Sequence, residues 1–248
     1  LSIILEISRI LIKKINTEMI KVFINKTLVP LIKYLKRKTD TKDSTRVLDE
    51  VSKRIARNTV DYIESNMTAS LICQKRELLW DYVFSKSSID GMIMEFGVSE
   101  GKSINYFSNL VNNKIYGFDS FEGLKEDWAG SGYVKGHFTR NGELPKVNKN
   151  VELIKGWFDE SLPKFLETHS GTIKILHVDS DTYQAAKTVL DLLEDRLISG
   201  TIIIFDEYFG YLGWKEGEHK AFQELINAKN MKYKYMGFSE TSVAVEII

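Results

Sequence analysis

The spacing of apolar positions changes along the chain. From Ile3 to Leu35 they recur at helical intervals, with Lys13, Lys14, Lys21, Lys26 and Lys33 between them and Pro30 interrupting the run; two amphipathic helices are predicted. The polar run Arg37 to Arg46 reads as a linker, and 47–66 and 69–84 as two further helices. Short β-rich runs then alternate with helical ones. Strands are expected at 91–96, 114–119, 151–155, 172–179 and 201–205, and helices at 102–111, 159–168 and 183–197. Past Trp214 a helix runs to Ala228, and two strand-like runs, 231–236 and 242–248, flank Gly237-Phe238-Ser239 as a terminal hairpin. This alternation predicts an α/β fold, a mostly parallel sheet with helices on both faces and an antiparallel last strand.

The expected organisation is a helical arm and linker over 1–46 and a main domain over 47–248, with leading helices to residue 90 and the sheet from 91 onward. Composition adds little to this, but the charge pattern does. Lys and Arg balance Asp and Glu at 34 each, so no global field argues for nucleic acid, yet residues 1–38 hold nine basic residues against two Glu. The arm therefore reads as packing on its own domain or on a twin subunit in a homo-oligomer, with peripheral contact to an anionic membrane as the sharper alternative. The opening run has neither the clean apolar core of a signal peptide nor a span's freedom from charge, and a cytoplasmic or membrane-peripheral protein is expected. A single cysteine, Cys73, excludes an internal disulfide and a Cys-based zinc cluster.

The stretch Met92 to Ser103 reads as a strand, a tight turn and a helix start. Such a turn presents backbone N–H groups beside the positive end of a helix dipole, and its glycines admit a ligand close to the main chain. The spacing is Glu95-x-Gly97-x-x-x-Gly101, not the Gly-x-Gly-x-x-Gly of dinucleotide folds; Phe96 stands where a phosphate loop needs glycine. Asp119, at the end of the next strand, is placed to accept from ribose hydroxyls. Gly97, Gly101 and Ser103 would line a nucleotide-like cofactor, Glu95 would reach it directly or through water, and Trp157 after Gly156 offers an aromatic wall, with a core tryptophan as the rival reading.

A second cluster lies at the ends of later strands: Asp179, Asp181, Asp206 and Glu207. Like charges so close are costly without a cation, and oxygen-only ligands point to Mg²⁺ or a similar divalent ion. Alternate residues of an extended stretch share a face, which would aim Asp179 and Asp181 into one pocket; Asp181 is also a candidate cap for the helix that follows. His177 reads as a core residue. His137 and His219 are candidates to reach a substrate, with Tyr183 and Tyr208 beside the acids. The loop 121–138, with Trp128 and Tyr133 among its glycines, reads as a lid.

Glu95-Phe96-Gly97-Val98 with Gly101-Lys102-Ser103, Tyr116 to Leu124, Gly156-Trp157-Phe158, Asp179-Ser180-Asp181-Thr182-Tyr183 and Asp206-Glu207-Tyr208 resemble the macrocin O-methyltransferase family. The resemblance covers residues 90–248. It implies the Rossmann-like fold of class I S-adenosylmethionine-dependent methyltransferases, with seven strands and the last antiparallel. It also implies S-adenosylmethionine contacts at Glu95, Gly97, Ser103, Asp119 and Ser120, Mg²⁺ ligands at Asp179, Asp206 and Glu207, and a general base at Asp181. Glu207 departs from the family's more frequent Asp, and relatives carry His at the base position.

The function expected is therefore Mg²⁺-dependent O-methylation of a sugar or glycoside hydroxyl, in an antibiotic or a surface polysaccharide. A catechol-like phenol is an alternative acceptor with the same two-oxygen geometry. A nicotinamide-dependent oxidoreductase and a non-catalytic scaffold are the alternatives from other classes.

Overall fold

The structure, a computed structural model, describes residues 24–32 and 43–248. The chain divides into two compact units, Leu1–Val51 and Ser52–Ile248. In the first, Ile24–Leu28 forms a π-helical turn that runs into helical residues 29–32. The chain thus stays helical through Pro30, which follows directly on the π-helical turn. The rest of the predicted arm, including Lys13, Lys14, Lys21 and Lys33, lies outside the described residues.

Helix α1 (Asp43–Asn66) begins inside the stretch expected to be a linker. The helix expected from Ala69 does not form there. Instead Leu71–Ile72 is a short strand, β1, and the Cys73 N–H donates to Phe238 O; only Arg76–Lys86 is helical, as α2. The backbone of 71–73 finds its partners in a distant strand, which no local pattern reveals.

The remaining elements follow the predicted alternation: β2 (Met92–Phe96), α3 (Lys102–Leu110), β3 (Ile115–Asp119), β4 (Val151–Lys155), α4 (Phe158–Thr168), β5 (Ile173–Val178), α5 (Tyr183–Leu193), β6 (Ile202–Phe205), α6 (Glu218–Lys229), β7 (Tyr233–Ser239) and β8 (Ser242–Ile247). The sheet order is β1-β7-β8-β6-β5-β2-β3-β4. The core of seven strands has β8 antiparallel to both neighbours, as expected, and β1 adds an eighth at the edge, parallel to β7. This is the Rossmann-like arrangement that the resemblance implies.

The terminal hairpin differs in one detail. Gly237-Phe238-Ser239 belongs to β7, and the turn is Glu240-Thr241, with Glu240 at φ 49°. Gly237 serves a close approach instead, because a Cβ there would lie 2.9 Å from Leu71 O of β1.

Strand alternation sends side chains to two apolar layers. Met94, Phe96, Leu176, Val178, Ile203 and Phe205 face one layer, covered by α4, α5 and α6 through Leu162, Phe165, Val189, Leu190, Phe222 and Leu225. Ile93, Ile175, Ile202 and Ile204 face the other, covered by α2 and α3 through Leu79, Trp80, Val83, Ile104 and Phe107. After β4 the chain crosses back to place β5 beside β2, so the crevice of this sheet opens at the carboxyl ends of β2 and β5. Among the described residues no helix is long and apolar enough to cross a membrane.

Candidate active site

The turn after β2 is held by backbone geometry and by one acid. Gly97 has φ 97°, and a Cβ there would overlap the carbonyl oxygen of Asp179 across the crevice, so glycine is required. Ser99 follows in the left-handed region at φ 47°. Asp119 Oδ2 accepts from the N–H groups of Val98 (2.8 Å) and Ser99 (2.7 Å), and Oδ1 from that of Phe121 (2.6 Å). A carboxylate offers about four acceptor sites, so roughly one remains for a ligand. Asp119 thus shapes the turn as well as facing the crevice. Ser120 is buried and accepts from Glu122 N–H at 3.1 Å, which leaves its hydroxyl proton to donate.

Gly97, Ser99, Asp119, Ser120 and Trp157 line a cavity of about 640 Å³ that also takes in Asp179, Asp181, Asp206 and Glu207. The cavity thus joins both clusters read from the sequence. Segment 121–138 contributes Leu124, Lys125, Trp128, Tyr133 and Phe138, and is tied into a small hairpin by the Trp128 N–H to Tyr133 O bond of 2.9 Å. Lys125 lies 5.4 Å above the Trp157 ring and pairs with Asp159 at 2.8 Å.

Four expected cofactor residues do not line this cavity. Gly101, at φ 79°, caps α3 beside Pro145, and Gly156 borders a separate shallow depression with Ser161 and Lys164. Glu95 is fully buried, and Ser103 donates to its Oε1 at 2.6 Å. The reason is strand parity: Glu95 shares a face with Ile93 and points under α2 and α3, not toward the strand tip.

The same parity places His177 beside Glu95 and carries the row on to Asp206. His177 Nδ1 lies 3.7 Å from Glu95 Oε2 and Nε2 3.9 Å from Asp206 Oδ1, ionic contacts too long for hydrogen bonds. Burial alone would keep the imidazole neutral, but the two carboxylates hold it charged, with a pKa raised to about 10. Burial works against Asp206 in the same way, yet His177, Ser242 and Arg76 lower its pKa to about 2. Asp206 Oδ1 accepts from Ser242 Oγ at 2.8 Å, and Arg76 Nη1 stands 3.4 Å from Oδ2.

The compact carboxylate cluster is therefore Asp179, Asp181 and Glu207, whose oxygens lie within 4.8 Å of one another. The resemblance had implied Asp206 in place of Asp181. Asp181 joins because its backbone is left-handed, at φ 63°, and not extended as the sequence suggested; the Thr182 N–H to Ser180 O bond of 2.6 Å closes the turn. Asp is among the residues that tolerate this region. Asp181 is not the helix cap either: Thr182 Oγ1 accepts from Ala185 N–H at 3.3 Å. Burial and the neighbouring acids raise the pKa of all three, Asp181 to about 7. Glu207 Oε2 is buried without a partner. Three crowded carboxylates with an unanswered oxygen fit a divalent cation.

The four expected substrate residues lie elsewhere. Tyr183 donates to Glu224 Oε2 at 2.7 Å on the outer side of α5. Tyr208 is buried in a hydroxyl cluster with Tyr62 and Tyr235. His219 Nε2 meets Tyr62 Oη at 3.1 Å, and burial lowers its pKa to about 4. His137 is exposed and stacks on Tyr133, whose ring does line the cavity. Ser99 and Phe158, both on the cavity wall, were not anticipated, and neither were Arg76 and Glu218. Arg76 opens α2 and reaches the cavity from 130 residues away in sequence. Glu218, one residue before His219, is wholly buried beside the cluster; its place at a helix start after Gly217 was the available signal.

Residues 94–208 match the family model described as a methyltransferase domain. A curated relative from Streptomyces olivaceus, 8-demethyl-8-(2,3-dimethoxy-alpha-L-rhamnosyl)-tetracenomycin-C 4'-O-methyltransferase, is 25% identical over 146 residues, 48% of this chain and 54% of the relative. The chain thus spans about half the length of the curated relative it matches. Among solved structures, CalS11, a calicheamicin methyltransferase, aligns with a TM-score of 0.57 at 21% identity, over 80% of this chain and 91% of its own. The O-methyltransferase NovP aligns with a TM-score of 0.51 at 17% identity, over 69% and 78% respectively. At these identities the two structures establish a shared fold.

Proposed function

We propose that this chain is an S-adenosylmethionine-dependent O-methyltransferase, assisted by a divalent cation, whose acceptor is a sugar hydroxyl. The observation that carries this reading is the single cavity into which both the Gly97–Asp119 turn and the Asp179–Asp181–Glu207 cluster open. The match of residues 94–208 to a methyltransferase domain supports the transfer chemistry. The rhamnosyl 4'-O-methyltransferase relative supports a sugar as acceptor.

Gly97, Ser99, Asp119 and Ser120 would bind the methyl donor, with Trp157 and Phe158 as an apolar wall. Asp179 and Glu207 would hold the cation. A divalent ion there supplies Lewis acidity, which makes a neighbouring hydroxyl easier to deprotonate. Asp181, in the same cluster but on its own left-handed turn, would take the proton, whereas Asp206 is already engaged by Ser242 and Arg76. Trp128 and Tyr133 line the cavity wall, and the remaining acceleration would come from alignment of the two reactants.

Calorimetric titration with S-adenosylhomocysteine, with and without Mg²⁺, followed by mass spectrometry of a rhamnoside panel incubated with S-adenosylmethionine, tests the reading. Binding and a gain of one methyl on a sugar are expected. Failure to bind S-adenosylhomocysteine rejects it.

A further inference from the structure

Glu218 is completely buried at the first position of α6 and touches no solvent. Its Oε1 accepts from Ser180 N–H at 3.3 Å and from the Ser180 hydroxyl at 3.4 Å, while Oε2 accepts from Glu207 N–H at 3.1 Å. Ser180 lies between Asp179 and Asp181. One carboxylate therefore joins the turn after β5 to the turn after β6, the two segments that bring the acidic cluster together.

A buried acid behind three other acids is an expensive way to tie two loops. A carboxylate is nevertheless what the geometry needs. Two backbone N–H groups from different segments meet the two oxygens of this one side chain, and a carboxylate answers both. A glutamine would set its own NH₂ against one of them. An aspartate would keep the charge but lack the reach.

We propose that Glu218 is a positioning residue that fixes the spacing of the two carboxylate-bearing turns, and through it the size and cation preference of the site. The inference rests on the reading of Asp179 and Glu207 as cation ligands, with Asp181 beside them. Outer groups that orient metal ligands typically change affinity by about 10–100-fold when removed. Mg²⁺ demands ligands at about 2.0–2.1 Å in near-octahedral order, whereas Ca²⁺ accepts about 2.3–2.6 Å and looser geometry. Loosening the clamp should therefore weaken Mg²⁺ more than Ca²⁺.

The test is a Mn²⁺ titration followed by electron paramagnetic resonance on the full chain saturated with S-adenosylhomocysteine, with Mg²⁺ and Ca²⁺ as competitors, for wild type, Glu218→Gln and Glu218→Asp. Both variants should bind Mn²⁺ roughly tenfold or more weakly and lose part of the preference for Mg²⁺ over Ca²⁺. Their affinity for S-adenosylhomocysteine, read by calorimetry, should stay within about twofold. Unchanged Mn²⁺ affinity in Glu218→Gln overturns the proposal. So does a loss confined to Gln and absent in Asp, which would make the charge and not the reach responsible. Wild type that binds no Mn²⁺ rejects the underlying cation reading, and the clamp with it. If either variant does not fold, Ser180→Ala takes its place: it removes only the hydroxyl contact, a smaller loss with the same shift in preference is expected, and an unchanged preference overturns the proposal.

Discussion

Glu95 and His177 are partners twice over: they stand in register on the neighbouring parallel strands β2 and β5, and His177 Nδ1 lies 3.7 Å from Glu95 Oε2 beneath the crevice. With Asp206, just past the end of β6, on the far side of the imidazole, three ionisable residues form a buried row. The row supports the crevice floor without entering the cavity at Glu95 or His177.

Replacing His177 by Ala should destabilise the protein by about 3–5 kcal/mol, because two buried carboxylates lose their cation. The effect should depend on pH in a fixed direction. The folded pKa of His177, about 10, lies above its ordinary value of 6.5, so its contribution is complete below pH ~6.5 and disappears as pH rises through about 10. Asp206 acts at the other limit, since its folded pKa of about 2 lies below 3.8: its share is present above that value and is lost as pH falls through about 2. Urea unfolding of wild type and variant at pH 6 and pH 9.5 should show the difference shrinking at the higher pH. A constant difference rejects the charged imidazole.

The acidic cluster should add to that loss of stability as pH rises. Asp181 is raised to about 7, and Asp179 and Glu207 are raised with it, so the folded state binds more protons than the unfolded one between pH ~4 and ~7. Stability conferred by these groups is present in acid and lost as pH rises. Metal-free protein should melt at a lower temperature at pH 8 than at pH 5.5, and millimolar Mg²⁺ should raise the melting temperature more at pH 8. Equal shifts at both pH values would show that the cation does not answer these charges.

Asp119 holds the Val98 and Ser99 N–H groups with one oxygen and Phe121 N–H with the other. Asparagine keeps one acceptor oxygen and turns an NH₂ toward a donor. Asp119→Asn should therefore weaken S-adenosylhomocysteine binding by roughly tenfold or more, corresponding to about 1.4 kcal/mol, while Mn²⁺ affinity changes little. Calorimetry with each ligand in turn checks this, and unchanged nucleoside affinity removes Asp119 from the donor site.

The strands and helices from residue 91 onward were legible because their apolar spacing is local and strong. The choice of residues at the site was only partly so. Parity along 91–96 and 173–178 already separates Glu95 and His177 from the strand tips, so the inward direction of Glu95 was readable and the presence of a nearby glycine turn obscured it. The turn at Asp181 was not readable, since one left-handed residue redirects its side chain and leaves no periodic trace. Arg76 and Glu218 enter through contacts 130 and 38 residues distant in sequence, and β1 forms only because β7 offers an edge. Local pattern carries elements; the partners of buried charges depend on which segments the fold brings together.

Asp181 separates the two assignments of the acidic residues. In this structure it completes the cluster with Asp179 and Glu207, while Asp206 is engaged by Ser242 and Arg76. Asp181→Asn should leave S-adenosylhomocysteine binding intact and lower methyl transfer by about 10²–10⁴-fold, the usual contribution of a positioned proton acceptor. Mn²⁺ affinity distinguishes the roles. A base that is not a ligand leaves it within a few-fold of wild type, whereas a drop beyond tenfold makes Asp181 a ligand and returns the proton to another acceptor. Asp206→Asn supplies the converse, since loss of its charge removes a partner of His177. It should lower unfolding stability, and if Asp206 ligates the cation as well it should lower Mn²⁺ affinity in the same preparation. Full transfer activity in Asp181→Asn would reject the base assignment.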